Sequence, residues 1–371
     1  MKILGVYGGI GSPFVGAVRA GHTLVGNIEP RSFCWMFDEQ GRNTFLENFP
    51  GAFLVKKFEE VPQELLQDID IVAGHPKCGN YSQLIRLSGE ERKAHHQKKS
   101  DDFLEFIRIV NLVKPKFAFF DNLPKSLEAN PPSVYRELLT DYDISFEYVS
   151  NYGYGNVQKG RNRLFIIASL KELGYSFMPG EQPNHKNLID VIGDIEGKFG
   201  ELPNHDRHNE EAIASKGRRV YQEGPMTWGQ VKQFFESGEK TLYYYRPDGV
   251  KKYHFGFRKG DYFKPATTLS GTNPVIHPVT NLPTSIRERA RIQGFPDDFI
   301  FYGTKYEEDG TWVHNRNGNL IQQTCRCIPC EFPAFLIDQF RAFIYNDKNY
   351  RCSFQRLVKP NNIILKALGE I

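Results

Sequence analysis

A chain of 371 residues with 40% apolar and 25% charged side chains is a globular protein, long enough for one large domain and a smaller companion, and is neither fibrous nor disordered. A formal net charge of +3 excludes a uniformly basic surface, so any nucleic-acid contact has to come from local clustering. The six cysteines are too sparse for a disulfide scaffold, no apolar run reaches membrane length, and the N-terminal run is too short for a signal peptide; the expectation is a reduced, cytoplasmic protein.

The chain opens with an apolar strand, Ile3 to Val6, that runs into Tyr7-Gly8-Gly9-Ile10-Gly11-Ser12. Glycines there allow a tight turn and close approach of backbone to a ligand before a helix at about residues 13–20. A second strand, Thr23 to Ile28, ends at Glu29, where a carboxylate can accept both hydroxyls of a ribose. Such a turn alone is a weak signal; with the acid in register it favours a nucleoside-containing cofactor. A helix closes near Asn48, and Phe53-Leu54-Val55 begins another short strand.

The run Ile69 to Val72 reads as a buried strand leading into Ala73-Gly74-His75-Pro76-Lys77-Cys78-Gly79-Asn80-Tyr81-Ser82. A cysteine at the carboxyl edge of a strand, beside Lys77 and His75, is a candidate nucleophile as its thiolate; the plain alternative is a buried structural thiol. Residues 84–102 carry many charges of both signs and read as a solvated segment or as a lid that closes on phosphates. An amphipathic helix from Phe103 to Leu112 stops at Lys114-Pro115. The next strand, Lys116 to Phe120, ends in Asp121-Asn122-Leu123, where the acid either faces the same crevice as Cys78 or caps a helix. Arg161 and Arg163 alternate into the strand Leu164 to Ala168, so both project to one face, to clamp an anion or to pair with surface acids.

From residue 172 to 263 the pattern turns polar, aromatic and poor in strands, with Tyr243-Tyr244-Tyr245-Arg246 and Lys251-Lys252-Tyr253-His254. Aromatics interleaved with cations suit nucleic acid; a small β-rich insert is the alternative. Ile286 to Pro296 is a short basic helix stopped by Gly294 and Pro296, and an apolar helix from Phe332 to Phe343 returns to the first domain. Cys325, Cys327 and Cys330 lack a clear fourth ligand, so no metal is expected.

Taken together, these stretches resemble the cytosine-C5 DNA methyltransferases over roughly residues 1–346. Tyr7-Gly8-Gly9-Ile10-Gly11 resembles the family's glycine-rich opening, Pro76-Lys77-Cys78-Gly79-Asn80-Tyr81-Ser82 its nucleophile loop, and Asp121-Asn122-Leu123 its Glu-Asn-Val. Arg161-Asn162-Arg163 matches its Arg-x-Arg, and Arg287 to Pro296 matches its Arg-Glu-x-x-Arg-x-Gln-Gly-Phe-Pro segment nearly letter for letter. The resemblance implies an α/β fold, a Rossmann-like sheet that uses S-adenosylmethionine, with a smaller mixed target-recognition domain. Its divisions are 1–171 for catalysis and cofactor, 172–263 for target recognition, 264–346 as the return to the catalytic domain, and 347–371 as a tail.

The same resemblance implies roles. Cys78 adds to cytosine C6, Asp121 hydrogen-bonds and protonates N3, Arg163 holds the base with Arg161 beside it, and the base flips out of double-stranded DNA. Tyr7, Gly8, Gly9, Ile10, Gly11, Glu29, Pro30, Lys57, Phe58 and Pro76 line the cofactor, and the enzyme is monomeric. The departures are Asp121 for glutamate, Gly79 for glutamine, Lys77 for proline, Lys57 for an aspartate, and Arg326 for an asparagine near donor and base. Arg326 raises the alternative of carboxy-S-adenosylmethionine as donor, giving 5-carboxymethylcytosine, because a guanidinium pairs with a carboxylate. Two further alternatives are a catalytically silent DNA-binding relative and the same chemistry on RNA.

Overall fold

The computed structural model describes residues 1–29, 39–76, 101–180, 185–214, 219–220, 226–245, 251–270, 275–304 and 320–346. A seven-stranded sheet forms its centre, in the order β3-β2-β1-β4-β5-β7-β6. The strands are β1 Lys2–Val6, β2 Thr23–Ile28, β3 Phe53–Val55, β4 Ile71–Gly74, β5 Phe117–Asn122, β6 Tyr142–Ser150 and β7 Asn162–Leu170. β1 to β5 pair in parallel, while β7 runs antiparallel between β5 and β6.

Continuous apolar runs are what a sheet covered on both faces requires, and period-two alternation divides them between two cores. Ile3, Ile71, Ala73, Phe117, Phe119, Phe165 and Ile167 enter one core, and Leu4, Val6, Val72, Ala118, Phe120, Leu164 and Ile166 the other. The first face is closed by helix α1 (Val15–Arg19), by helix α2 (Glu39–Asn48) and by the last helix of the described chain, Glu331–Ile344. Phe340 of that last helix stacks on Phe117 with ring centroids 4.1 Å apart, and Phe332 lies 4.4 Å from Phe165. The second face is closed by helix α3 (Asp101–Val113), through Phe103, Phe106, Ile107, Ile109 and Val110.

The expected strand-poor stretch holds three strands of a second, four-stranded sheet. These are β8 Arg219–Val220, β9 Thr241–Tyr245 and β10 Lys251–Lys259, and β11 Val275–Ile276 joins them from beyond residue 263. Its tyrosine and lysine repeats form β9 and β10, where aromatic residues favour a pleated surface, and the order is β11-β10-β9-β8. Helix α4 (Trp228–Glu236), started by a Thr227/Gln230 capping box, presents Trp228, Val231 and Phe235 to the interior. Among the described residues, no helix is long and apolar enough to cross a membrane.

Candidate active site

Three neighbouring strands bring their side chains to one edge. β4 pairs Ala73 with Phe119 of β5, and Phe119 pairs with Ile167 of β7. Two residues further, the same face presents His75 after β4, Asp121 of β5, and Phe165 with Arg163 of β7. Because β7 is antiparallel, its amino end lies beside the carboxyl ends of β4 and β5, and that reversal is what brings Arg163 to the acid. Asp121 therefore sits within a strand and is not a helix cap.

Asp121 has no exposed surface. His75 Nδ1 lies 2.5 Å from its Oδ1, and Arg163 Nε lies 3.4 Å from its Oδ2. The His75 and Arg163 side chains are only 12% and 11% exposed, so the three groups interact across little intervening water. The Arg163 contact is an ion pair without a hydrogen bond: among the described residues, Asp121 Oδ2 and Arg163 Nε are each buried and unsatisfied. Such a pair of orphaned atoms is costly unless a ligand completes it. Cys78 and Lys77 follow His75 closely in sequence but lie outside the described residues, as do Pro30 and the 84–100 stretch.

The glycine turn lies beside this edge. Tyr7, Gly9 and Gly11 all have positive φ, at 60°, 61° and 95°, and for a tyrosine that conformation is strained. The turn is held from β2. Gly8 N–H donates to Asn27 Oδ1 at 3.0 Å, Asn27 Nδ2 donates to Gly9 O at 3.3 Å, and Gly9 N–H donates to Glu29 Oε2 at 3.2 Å. A side chain at position 8 would collide with the Phe14 ring, 2.4 Å from where a Cβ would stand. Glu29 is fully buried at the lip of the turn, the setting in which a carboxylate can take a ribose. Ile10 is a core residue, Lys57 is exposed, and Phe58 packs in the second core under Arg108, 5.6 Å from the ring centroid. Pro76 is buried at the end of β4.

The basic helix expected at 286–293 is helix α5 (Ile286–Gln293), with a Ser285/Glu288 capping box and Gly294 left-handed at its end. Arg287 and Arg289 face inward, while Arg291 pairs with Asp194 and Asp297 nearer the surface. Arg287 donates to the carbonyls of Pro203, Pro296 and Phe299, and Arg289 to Thr324 Oγ1 and Ser270 O. Gln293 Nε2 donates to Cys327 O at 2.7 Å and Gln158 Nε2 to Gln293 Oε1 at 2.8 Å. Arg161 belongs to the same scaffold: it donates to Leu269 O at 3.4 Å, to Cys325 O at 2.8 Å and to Cys327 O. Burial pushes its guanidinium down to about 10, with Arg163 adding a smaller push in the same direction. Arg161 thus spends its terminal N–H groups on the Leu269 carbonyl and on carbonyls at and just past the end of helix α6 (Leu320–Cys325), with its buried Nε unsatisfied among the described residues, whereas Arg163 faces Asp121.

That anchoring fixes the peptide around Arg326, whose side chain is exposed and makes no ion pair with Asp121, Glu331 or any other described residue. Burial raises the Cys325 thiol, the Cys327 thiol to about 12, and the Cys330 thiol well above its ordinary value, so these cysteines stay neutral. Two residues escaped the sequence reading in their structural roles. His75 was noted there only as nearby charge, although its parity with Ile71 and Ala73 puts it on the face of Asp121. Asn27, which ties the glycine turn to β2, carried no sequence signal beyond being polar inside an apolar strand.

Comparison with known proteins bears on the fold and the family. The chain is similar to the type II methyltransferases M.FnuDI of Fusobacterium nucleatum (25% identity, 85% of this chain and 90% of the relative) and M.NgoPII of Neisseria gonorrhoeae (26%, 81% and 87%). In fold it is similar to the solved structures of a DNMT2 variant from Spodoptera frugiperda (11% identity, TM-score 0.57, 92% of this chain and 99% of that one) and of S. pombe Dnmt2 (14%, 0.56, 94% and 100%). The family profile of the C-5 cytosine-specific DNA methylases matches residues 1–329, and with the S-adenosylmethionine-type sheet and the acid at its edge, the chain belongs to that family.

Proposed function

We propose that this DNA methyltransferase flips a cytosine out of double-stranded DNA and modifies C5 through a covalent Cys78 adduct at C6. The observation that carries the reading is the pair of atoms at the carboxyl edge, Asp121 Oδ2 and Arg163 Nε, that are buried and unsatisfied among the described residues. The Watson–Crick edge of cytosine offers an amino donor at N4 and an acceptor at O2, the complement of that acceptor and that donor. A stacked, paired base cannot reach a site this buried. Thiolate addition at C6 makes C5 nucleophilic only if N3 takes a proton, and the Asp121 centre is the acid equipment at hand. S-adenosylmethionine supplies the electrophilic methyl group. Glu29 and the turn at residues 7–11 hold the donor's nucleoside. Residues 172–263 read the sequence, 84–102 close over the target, and one chain acts alone.

A second reading concerns the transferred group. Arg326 is exposed and unpaired among the described residues, in the segment where the family has a neutral asparagine. A permanent cation beside a sulfonium disfavours the ordinary donor and favours one that carries a carboxylate on its transferable carbon, so carboxymethyl transfer is the finer alternative. The deciding experiment is nucleoside mass spectrometry of DNA incubated with enzyme and both donors. 5-Methylcytosine alone would remove the carboxymethyl reading, and unmodified cytosine with either donor would remove the proposal. Substituting 5-fluorocytosine at the target should trap an adduct on Cys78; an adduct on another cysteine would refute the assigned nucleophile.

A further inference from the structure

The Asp121 centre contains two candidate acids. Asp121 is one methylene shorter than the family's glutamate, has no exposed surface, and faces Arg163 through Oδ2. Oδ2 is thereby committed as an acceptor toward the guanidinium. The same carboxylate can take the N4 amino hydrogen, and a group that accepts there does not deliver the N3 proton. Its other oxygen holds His75 Nδ1 at 2.5 Å, and His75 is the partly exposed member of the pair. A carboxylate on one ring nitrogen fixes the tautomer, aims the other nitrogen and stabilises the imidazolium, which is the division of labour in a catalytic triad.

We propose that His75 is the general acid that protonates cytosine N3, and that Asp121 positions its ring and accepts from N4. The proposal rests on the cytosine-C5 reading above. In the step, the Cys78 thiolate forms the S–C6 bond, the C5=C6 pair shifts to C4=C5, and the N3=C4 pair moves onto N3. N3 takes the proton from His75 Nε2. An imidazolium, a thiolate and a neutral base become a neutral imidazole and a neutral enamine adduct, so charge balances without any change at Asp121. After alkyl transfer and loss of the C5 proton, the N3 proton returns to Nε2 as the thiolate leaves. Among the described residues, the charged groups facing the imidazole are Asp121 from β5 and, behind it, Arg163 and Arg161 from β7 and the turn before it. From β1, the Tyr7 carbonyl accepts the His75 backbone N–H at 3.2 Å.

Single-turnover rates measured across pH on the full chain with DNA and donor test the assignment. An acid must be protonated, so the wild-type rate should fall as pH rises through the imidazole range. His75→Gln should lose about 10²-fold or more and lose that falling limb. Asp121→Asn should keep the limb but move it to lower pH, because the imidazolium loses its carboxylate. The double variant should be no slower than about the worse single variant. If Asp121 is the acid instead, Asp121→Asn abolishes the limb and His75→Gln retains it, which overturns the proposal. A rate that rises with pH through the same range and flattens in His75→Gln would make His75 a base toward Cys78, and overturns it equally. Should Asp121→Asn not fold, His75→Gly decides: added imidazole should restore its rate, and no rescue in a variant that still binds donor counts against a proton-delivering role. Failure of the underlying chemistry is separate, because the wild type would then form no 5-substituted cytosine.

Discussion

Arg161 and Arg163 stand two residues apart, yet removing them should have opposite consequences. Arg161→Ala strips a buried donor from the carbonyls of Leu269, Cys325 and Cys327 and should lower stability by about 3–5 kcal/mol, read as the denaturation midpoint. Arg163→Ala should fall mainly on turnover, since Arg163 borders the candidate site, and any drop in its midpoint reports the buried Asp121 left without its counter-charge. A buried histidine provides a check on acid stability. His277 Nδ1 accepts from the N–H groups of Val279 and Thr280, and burial pushes the ring down to about 4. Burial also pushes its neighbour Glu288, 3.6 Å away, up to about 7, so at mildly acid pH the contact joins neutral groups. A histidine with a lowered folded pKa binds fewer protons folded than unfolded. Its contribution is therefore intact above its ordinary 6.5 and is lost as pH falls toward about 4. His277→Asn, which keeps an acceptor but cannot titrate, should flatten that loss by on the order of 2 kcal/mol.

At the level of elements, β4 and β1 approach so closely that a methyl group on Gly74 would stand 1.6 Å from the Val6 carbonyl oxygen. Gly74→Ala cannot be absorbed by a side-chain rotation, because the obstacle is backbone. It should cost about 3 kcal/mol and displace His75, with activity falling further than the melting temperature implies. Most elements of this sheet were legible in advance. Apolar runs marked β1, β2, β4, β5 and β7, and Lys114-Pro115 marked the end of α3. The capping residues Ser285 and Gly294 bound α5 as written in the sequence. The part that was not legible is long-range: period-two patterning puts Arg161 and Arg163 on one side of a strand but says nothing of carbonyls more than a hundred residues downstream. The strands at 219–259 stood in the sequence only as the alternative of a small β-rich insert, because their lysines and tyrosines give no apolar alternation, and His75 was missed as a site residue because a lone histidine after a glycine looks like loop.

For the whole molecule, a net charge of +3 means that binding to DNA depends on where its cations cluster. Affinity should fall steeply with salt, by a slope of about 0.9 in log–log terms per phosphate contacted, and Lys→Ala changes on β10 should reduce that slope. Exchanging residues 172–263 for those of a relative should change which sequence is modified while leaving the pH profile of the chemistry intact; an unchanged site preference would assign recognition to the large sheet. The covering of that sheet also orders events in time. β1 to β5 and the glycine turn form from neighbouring stretches of chain, but β7 must insert between β5 and β6, and Glu331–Ile344 must arrive last to cover Phe117 and Phe165. On the ribosome, the nucleoside-holding half can therefore assemble while one face of the sheet is still open and Arg163 has not yet met Asp121. A nascent chain arrested before residue 331 would be expected to recruit chaperones rather than alkylate DNA, so chemical competence is acquired only once Glu331–Ile344 has emerged.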